Sequence, residues 1–210
     1  MTRPLRAAVL DYDAGNVRSA RRGVEAAGAV ATITDDPEVA DAADALVIPG
    51  VGHFGTCSRR LRDRGLEDVV RAFVADGRPV LGICVGMQLL YAGSEESDEP
   101  GLGLLPGRVV RFADAGVVPH MGWDVVDVVR PDPVLTAVDG HRCYFAHSYY
   151  AVPEDEGHVL ARCTYGGETF PCAVREGSVV GTQFHPEKSG TVGARVLADW
   201  VAAAAGEVVR

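Results

Sequence analysis

The run RPVLGICVGMQLL, residues 78–90, constrains the fold more than any other part of this chain. Arg78 to Ile83 is a short segment that is apolar after its first residue, the pattern of a strand covered on both faces and hence of a central strand in a parallel sheet. Val85 to Ala92 reads as a helix, so strand passes into helix at one residue, Cys84, flanked by Gly82 and Gly86. A residue at so sharp a turn holds a strained backbone, and neighbours without side chains let strand and helix approach closely. That is the context of a nucleophile elbow with cysteine in place of serine. The thiol would project at the carboxyl end of the sheet above the N-terminus of the next helix, whose dipole favours thiolate over thiol. By itself G-x-C-x-G is a weak signal in a chain with 25 glycines.

The first half alternates strand-like and helix-like segments, as a parallel sheet with crossover helices requires. AAVLDY (7–12) is the first strand. Asn16 to Gly28 places Val17, Ala20, Val24 and Ala27 at helical spacing and feeds a second strand at Val30 to Ile33. ALVIP (45–49) is the third strand, and the amphipathic segment Leu61 to Ala75 is expected as one long helix. GSEESDEPGLGLLPG (93–107) reads as an acidic, solvated surface loop. Short β-rich stretches follow at Arg108 to Phe112, Trp123 to Val129, Arg142 to Ser148, Val159 to Tyr165, Phe170 to Arg175 and Val179 to Phe184. They are expected to be antiparallel or mixed and appended to the parallel sheet, with Thr191 to Ala205 as a closing helix. The expected fold is thus α/β, a central mostly parallel sheet flanked by helices with an antiparallel or mixed β region, in one domain over 1–210.

Composition excludes some function classes. A net charge of −9 argues against a general nucleic-acid or anionic-membrane surface, which would need a basic patch. No uncharged apolar stretch of about 18 residues is present, and the N-terminus lacks a cleavage signature, so a soluble cytoplasmic protein is expected. Cys57, Cys84, Cys143, Cys163 and Cys172 form an odd set without CxxC or CxH pairing, which suggests neither a disulfide framework nor a metal site, and no cofactor is expected. Cys143, Cys163 and Cys172 lie in apolar runs and read as small buried hydrophobes. His120, His141 and His147 read as structural histidines, and Met87, Leu89 and Leu90 as core.

A second motif gives Cys84 its chemical meaning. Gln183-Phe184-His185-Pro186-Glu187-Lys188 leaves a strand with a histidine, a proline that forbids helix continuation, and a carboxylate two positions on. His185 and Glu187 can then face the same side, the carboxylate fixing the imidazole tautomer while the other ring nitrogen faces the thiol. Pro49-Gly50-Val51-Gly52 ends a neighbouring strand and offers unobstructed backbone N–H groups. With the amide of Val85, that of Val51 is the expected oxyanion donor pair. Glycines on both sides of Val51 allow a peptide there to rotate, so this turn is also a candidate on/off switch. The residues alone leave open a cysteine-dependent amide hydrolase, a protease with the same triad, or a silent subunit that keeps the fold.

At these motifs the sequence resembles the class I (triad) glutamine amidotransferases, and within them the glutaminase subunits of imidazole glycerol phosphate synthases. The resemblance runs through Asp11-Tyr12 with Gly15-Asn16, PGVGHF (49–54), GICVGMQLL (82–90), VPHMGW (118–123), YFAHSYY (144–150) and QFHPEKSG (183–190). It implies a glutamine amidotransferase-like fold, a Cys84–His185–Glu187 triad, and glutamine held by Gly50, Gly52, Gln88, Ser148 and Tyr149. It further implies ammonia transfer to a separate (β/α)₈-barrel cyclase subunit in a heterodimer, facing Asn16, Met121, Trp123, Tyr144 and Lys188. Asp13 stands where glycine is common in the family, Asp124 where asparagine is usual, and His53 where a small residue is common. A related glutaminase serving another acceptor shares the elbow; the HSYY and PHMGW stretches speak against it.

Overall fold

A computed structural model describes residues 3–113 and 115–208, the last two of these by backbone only. The first half comprises β1 (Arg6–Leu10), α1 (Val17–Ala26), β2 (Val30–Thr34), α2 (Pro37–Asp41), β3 (Ala45–Gly50), α3 (Phe54–Asp63), α4 (Leu66–Ala75), β4 (Val80–Cys84) and α5 (Val85–Gln88). The second comprises β5 (Gly107–Arg111), β6 (His120–Val128), β7 (His141–His147), β8 (Tyr149–Pro153), β9 (Val159–Tyr165), β10 (Glu168–Glu176), β11 (Val179–Thr182) and α6 (Gly190–Val208).

The nine-stranded sheet has the order β2-β1-β3-β4-β11-β10-β9-β6-β7, and β5 pairs β8 in a separate ribbon. From β2 through β11 neighbours are parallel, and beyond β11 they are antiparallel. Every residue of β3, β4 and β11 is buried, as continuous apolar strands under helices must be. α1 packs on α6, while α2 and α3 pack on α4. β11 therefore lies beside β4 with Thr182 opposite Ile83, which brings the two chemistry-bearing motifs to the same sheet end from about a hundred positions apart in sequence.

Three local expectations are corrected. The helical stretch expected over Leu61 to Ala75 begins earlier, at Phe54, and is two helices rather than one, because Gly65 adopts φ +68, a left-handed conformation open to glycine, and Glu67 and Asp68 then open a new first turn. The elbow helix stops at Gln88 rather than Ala92: the carbonyls of Leu89 and Leu90 accept from the N–H groups of Leu102 and Leu104 instead of continuing the helix. The segment 93–107 is for the same reason stitched to the core rather than merely solvated. Two elements went unread. One is α2, capped by the Asp36 side chain on the Glu38 N–H at 2.9 Å; the other is β8.

Candidate active site

Cys84 ends β4 and opens α5 with φ 54 and ψ −111, a conformation that non-glycine residues rarely occupy. The surrounding glycines show what permits it. A Cβ on Gly86 would lie 1.8 Å from the Ile48 carbonyl oxygen, one on Gly82 2.9 Å from the Gly86 oxygen, and one on Gly50 2.7 Å from the Gly86 nitrogen. The G-x-C-x-G pattern and the first glycine of PGVG are thus one packing solution, in which the elbow backbone rests directly on β3. Gly50 does this packing beneath the elbow and is not among the residues that line the cleft described below. The helix that follows is a single turn, so electrostatic help to the sulfur comes from first-turn amides without intrahelical acceptors, not from a long dipole.

His185 lies three residues beyond β11. Its N–H donates to the Tyr144 carbonyl at 2.9 Å, and its own carbonyl accepts from Ser189 Oγ at 2.7 Å, which pins the backbone on both sides. Pro186 then starts a short 3₁₀ turn that folds Glu187 back, and His185 Nδ1 meets Glu187 Oε1 at 2.8 Å. Both side chains are fully buried. The same Oε1 accepts from the Asn16 side-chain amide, so Asn16, expected at a partner surface, points inward onto this carboxylate. His185 Nε2 and Glu187 Oε2 are buried without a hydrogen-bond partner. Burial opposes the charged imidazole, yet the neighbouring Cys84 sulfur and the Glu187 carboxylate outweigh it and push His185 up to about 9. This environment favours an imidazolium beside the sulfur.

A cleft of about 220 Å³ opens over the sulfur, lined by Gly52, Cys84, Val85, Gln88, Glu96, Ala146, His147, Ser148 and Tyr149. Gln88 spans it from below, donating through Nε2 to the Tyr149 carbonyl at 2.8 Å. Val51 does not line it. Its N–H donates to the Ala14 carbonyl at 3.0 Å, directed at the loop after β1. Among the described residues no group of three His, Cys, Asp or Glu side chains could hold a metal ion.

This geometry places a thiol, an imidazole and a carboxylate in sequence beside a small polar cleft, an arrangement suited to acyl transfer through a thioester. A family model for class I glutamine amidotransferases matches residues 8–204. The chain belongs to that family.

Within the class I glutamine amidotransferases it is 48% identical over 202 residues to the imidazole glycerol phosphate synthase subunit HisH of Halobacterium salinarum, covering 92% of this chain and 91% of the relative. It is likewise 48% identical to the subunit of the same name from Syntrophotalea carbinolica, over 90% of this chain and 96% of the other. Among solved structures, one described as a glutamine amidotransferase superposes with a TM-score of 0.73 at 26% identity, over 95% of this chain and 98% of that one.

Met121 and Trp123 are 66% and 48% exposed, so they are surface and not core. Trp123 is in register with Tyr144 on β7, and Lys188 Nζ lies 5.7 Å from the Tyr144 ring, which gathers four of the five expected interface residues on one face. His120 and His147 are structural in the expected sense: they are buried, 3.3 Å apart, and bonded to Asp124 and the Tyr149 carbonyl respectively. Burial holds His147 down to about 3 and lowers His120 as well.

Sequence reasoning missed two residues. Glu96, assigned to a solvated loop, accepts from the Phe54 N–H at 2.7 Å and adds a carboxylate to the cleft wall. Gln183, read only as the residue before Phe184, donates to the Cys84 sulfur at 3.5 Å. For Glu96 nothing local signals a site. For Gln183 the signal was an amide in an otherwise apolar strand exit.

Proposed function

We propose that this chain is the glutaminase subunit of an imidazole glycerol phosphate synthase. It hydrolyses glutamine to glutamate and supplies ammonia to a barrel-fold cyclase subunit in a heterodimer, which forms imidazole glycerol phosphate and aminoimidazole carboxamide ribotide in histidine biosynthesis. One observation carries the reading: the thiol of Cys84 sits at an elbow under a cleft of about 220 Å³, beside an imidazole already paired to a buried carboxylate. The relatives named as imidazole glycerol phosphate synthase subunits support this choice of acceptor. Five unpaired thiols suit a reducing cytoplasm.

In the reaction the Sγ proton passes to His185 Nε2, and the sulfur pair attacks the carboxamide carbon of glutamine. Glu187 keeps the other proton on Nδ1 and stabilises the imidazolium. The tetrahedral oxyanion is met by the Val85 N–H. His185 then gives its proton to the departing ammonia, leaving a glutamyl thioester; water, deprotonated by His185, attacks that carbon and restores the thiol. Gly52, Gln88, Ser148 and Tyr149 hold the substrate from the cleft wall. Glu96 faces its α-ammonium, a role consistent with the one carboxylate lining the cleft. Gly50 acts through the elbow it supports. Met121, Trp123, Tyr144 and Lys188 contact the cyclase, and Asn16 links that side of the molecule to Glu187.

A glutaminase that ran without its acceptor would waste glutamine, and Val51 supplies the control. With its N–H on Ala14 the second oxyanion donor is withheld, and loss of one such donor costs about a hundredfold to a thousandfold in turnover. Rotation of the 50–51 peptide, favoured by the cyclase with its own nucleotide ligand bound, would deliver it. The test is glutamate release by the chain alone, with cyclase, and with cyclase plus ligand. We expect a very low rate, a modest change, then a rise of about two orders of magnitude or more. Full-rate hydrolysis by the isolated chain would refute the switch and favour a free-standing glutaminase.

A further inference from the structure

Gln183 is fully buried one residue beyond β11, and its main-chain N–H is fixed on the Cys172 carbonyl at 2.9 Å. Its side-chain amide lies between Gln88 and Cys84. An amide group can be placed two ways, so the polarity it shows the sulfur has to come from its partners. The chain of reasoning starts at a group with no choice: the Tyr149 main-chain carbonyl can only accept. The Gln88 atom 2.8 Å from it is therefore nitrogen, and that same nitrogen is 3.0 Å from Gln183. The Gln183 atom it meets must be oxygen. The remaining Gln183 atom, 3.5 Å from Cys84 Sγ, is the NH₂. A main-chain carbonyl thus dictates, through two glutamines, that the sulfur is offered a donor.

We infer that Gln183 is an anion-stabilising donor to the nucleophile, kept in that polarity by Gln88 and the Tyr149 carbonyl. A hydrogen bond to the charged form of a titrating group favours ionisation, and buried donors that need not reorganise do so most effectively. When the Sγ proton moves to His185 Nε2, the electron pair left on sulfur gains the Gln183 N–H. Gln88 then has two tasks, one at the substrate and one in orienting Gln183. The inference rests on the proposed role of Cys84.

The test reads the thiol itself. Groups facing Cys84 from the surrounding elements are Tyr12 after β1, Cys57 on α3 and His185 after β11, with Glu96 and His147 on the same cleft, and a Gln183 substitution leaves all of them in place. The rate of Cys84 carboxamidomethylation by iodoacetamide is followed against pH in the full chain, located by peptide mapping. In Gln183→Leu the midpoint should rise by about one pH unit, a tenfold loss of thiolate at a given pH, with the plateau rate at high pH retained. Gln183→Glu keeps the acceptor for Gln88 and replaces the donor by a carboxylate, so the midpoint should rise further. This near-isosteric variant also serves if the leucine variant fails to fold. Gln88→Leu, which never touches the sulfur, should raise the midpoint too, because Gln183 is freed to turn over. Midpoints that agree in all variants would overturn the inference while leaving Cys84 as nucleophile. If Cys84 of the unmodified chain is not the thiol labelled, the assignment of the nucleophile falls instead.

Discussion

Replacing Glu187 by glutamine tests the geometry around His185 more sharply than deleting the histidine, because the structure specifies which way the new amide will face. Oε1 of Glu187 accepts from both His185 Nδ1 and the Asn16 amide, whereas Oε2 is buried with no partner. In Glu187→Gln the Asn16 NH₂ still demands an acceptor, so the amide oxygen takes the Oε1 place and the NH₂ falls where Oε2 was. The Nδ1–H tautomer therefore survives, and only the charge is lost. A hydrogen bond to a charged group contributes about 1.5–3 kcal/mol, which at 1.4 kcal/mol per tenfold is about a tenfold to 150-fold loss in turnover. Where an amide instead forces the wrong tautomer, the loss is about 10⁴. Adding Asn16→Leu removes the constraint, and the double variant should fall toward that larger value, well beyond the product of the two single effects. Glutamate release by the complex with the cyclase is the assay, with ammonia-dependent synthesis as the control for intact assembly. A loss of about 10⁴ in Glu187→Gln alone, or a double variant that is simply additive, would refute the argument.

A glutamine-mimicking electrophile should modify Cys84 alone, read by mass spectrometry, since burial pushes Cys57 and Cys143 up to about 11 and Cys163 to about 12, and Cys84→Ala should abolish glutamine-dependent but not ammonia-dependent synthesis. Melting temperature against pH should peak near the ordinary histidine value of 6.5. The raised His185 contributes stability that is complete below 6.5 and lost as pH rises through about 9, while the depressed His147 removes stability as pH falls from 6.5 toward about 3; a His185→Ala variant that keeps the decline between 6.5 and about 9, below the range in which the buried thiols ionise, would contradict this. Gly86→Ala, whose Cβ would sit 1.8 Å from the Ile48 oxygen, should either fail to fold or lose glutaminase activity by orders of magnitude, and a variant with normal turnover would show that the elbow does not rest on β3 as described.

The local part of this protein was legible from residue order because its signals are short-range. Apolar runs specify buried strands, a cysteine between glycines at the end of such a run marks an elbow once the His-Pro-Glu motif is read with it, and a proline between histidine and glutamate specifies the turn that pairs them at 2.8 Å. What residue order could not express is polarity and direction across distant segments. Leu61 to Ala75 carries a continuous helical period, yet Gly65 breaks it, because which glycines turn left-handed depends on what the flanking helices must cover. Asn16 reads as surface and Glu96 as solvated loop, but packing delivers one to Glu187 and the other to the cleft. Val51 carries an amide suited to an oxyanion site, and only the fold shows that amide held on Ala14. The same holds for Gln183, whose amide takes its direction from a carbonyl 34 positions earlier in the chain, at Tyr149. Hydrogen-bond polarity is set by partners, and partners 30 to 170 positions apart meet only when the sheet brings β4, β11 and the loop after β1 to one end.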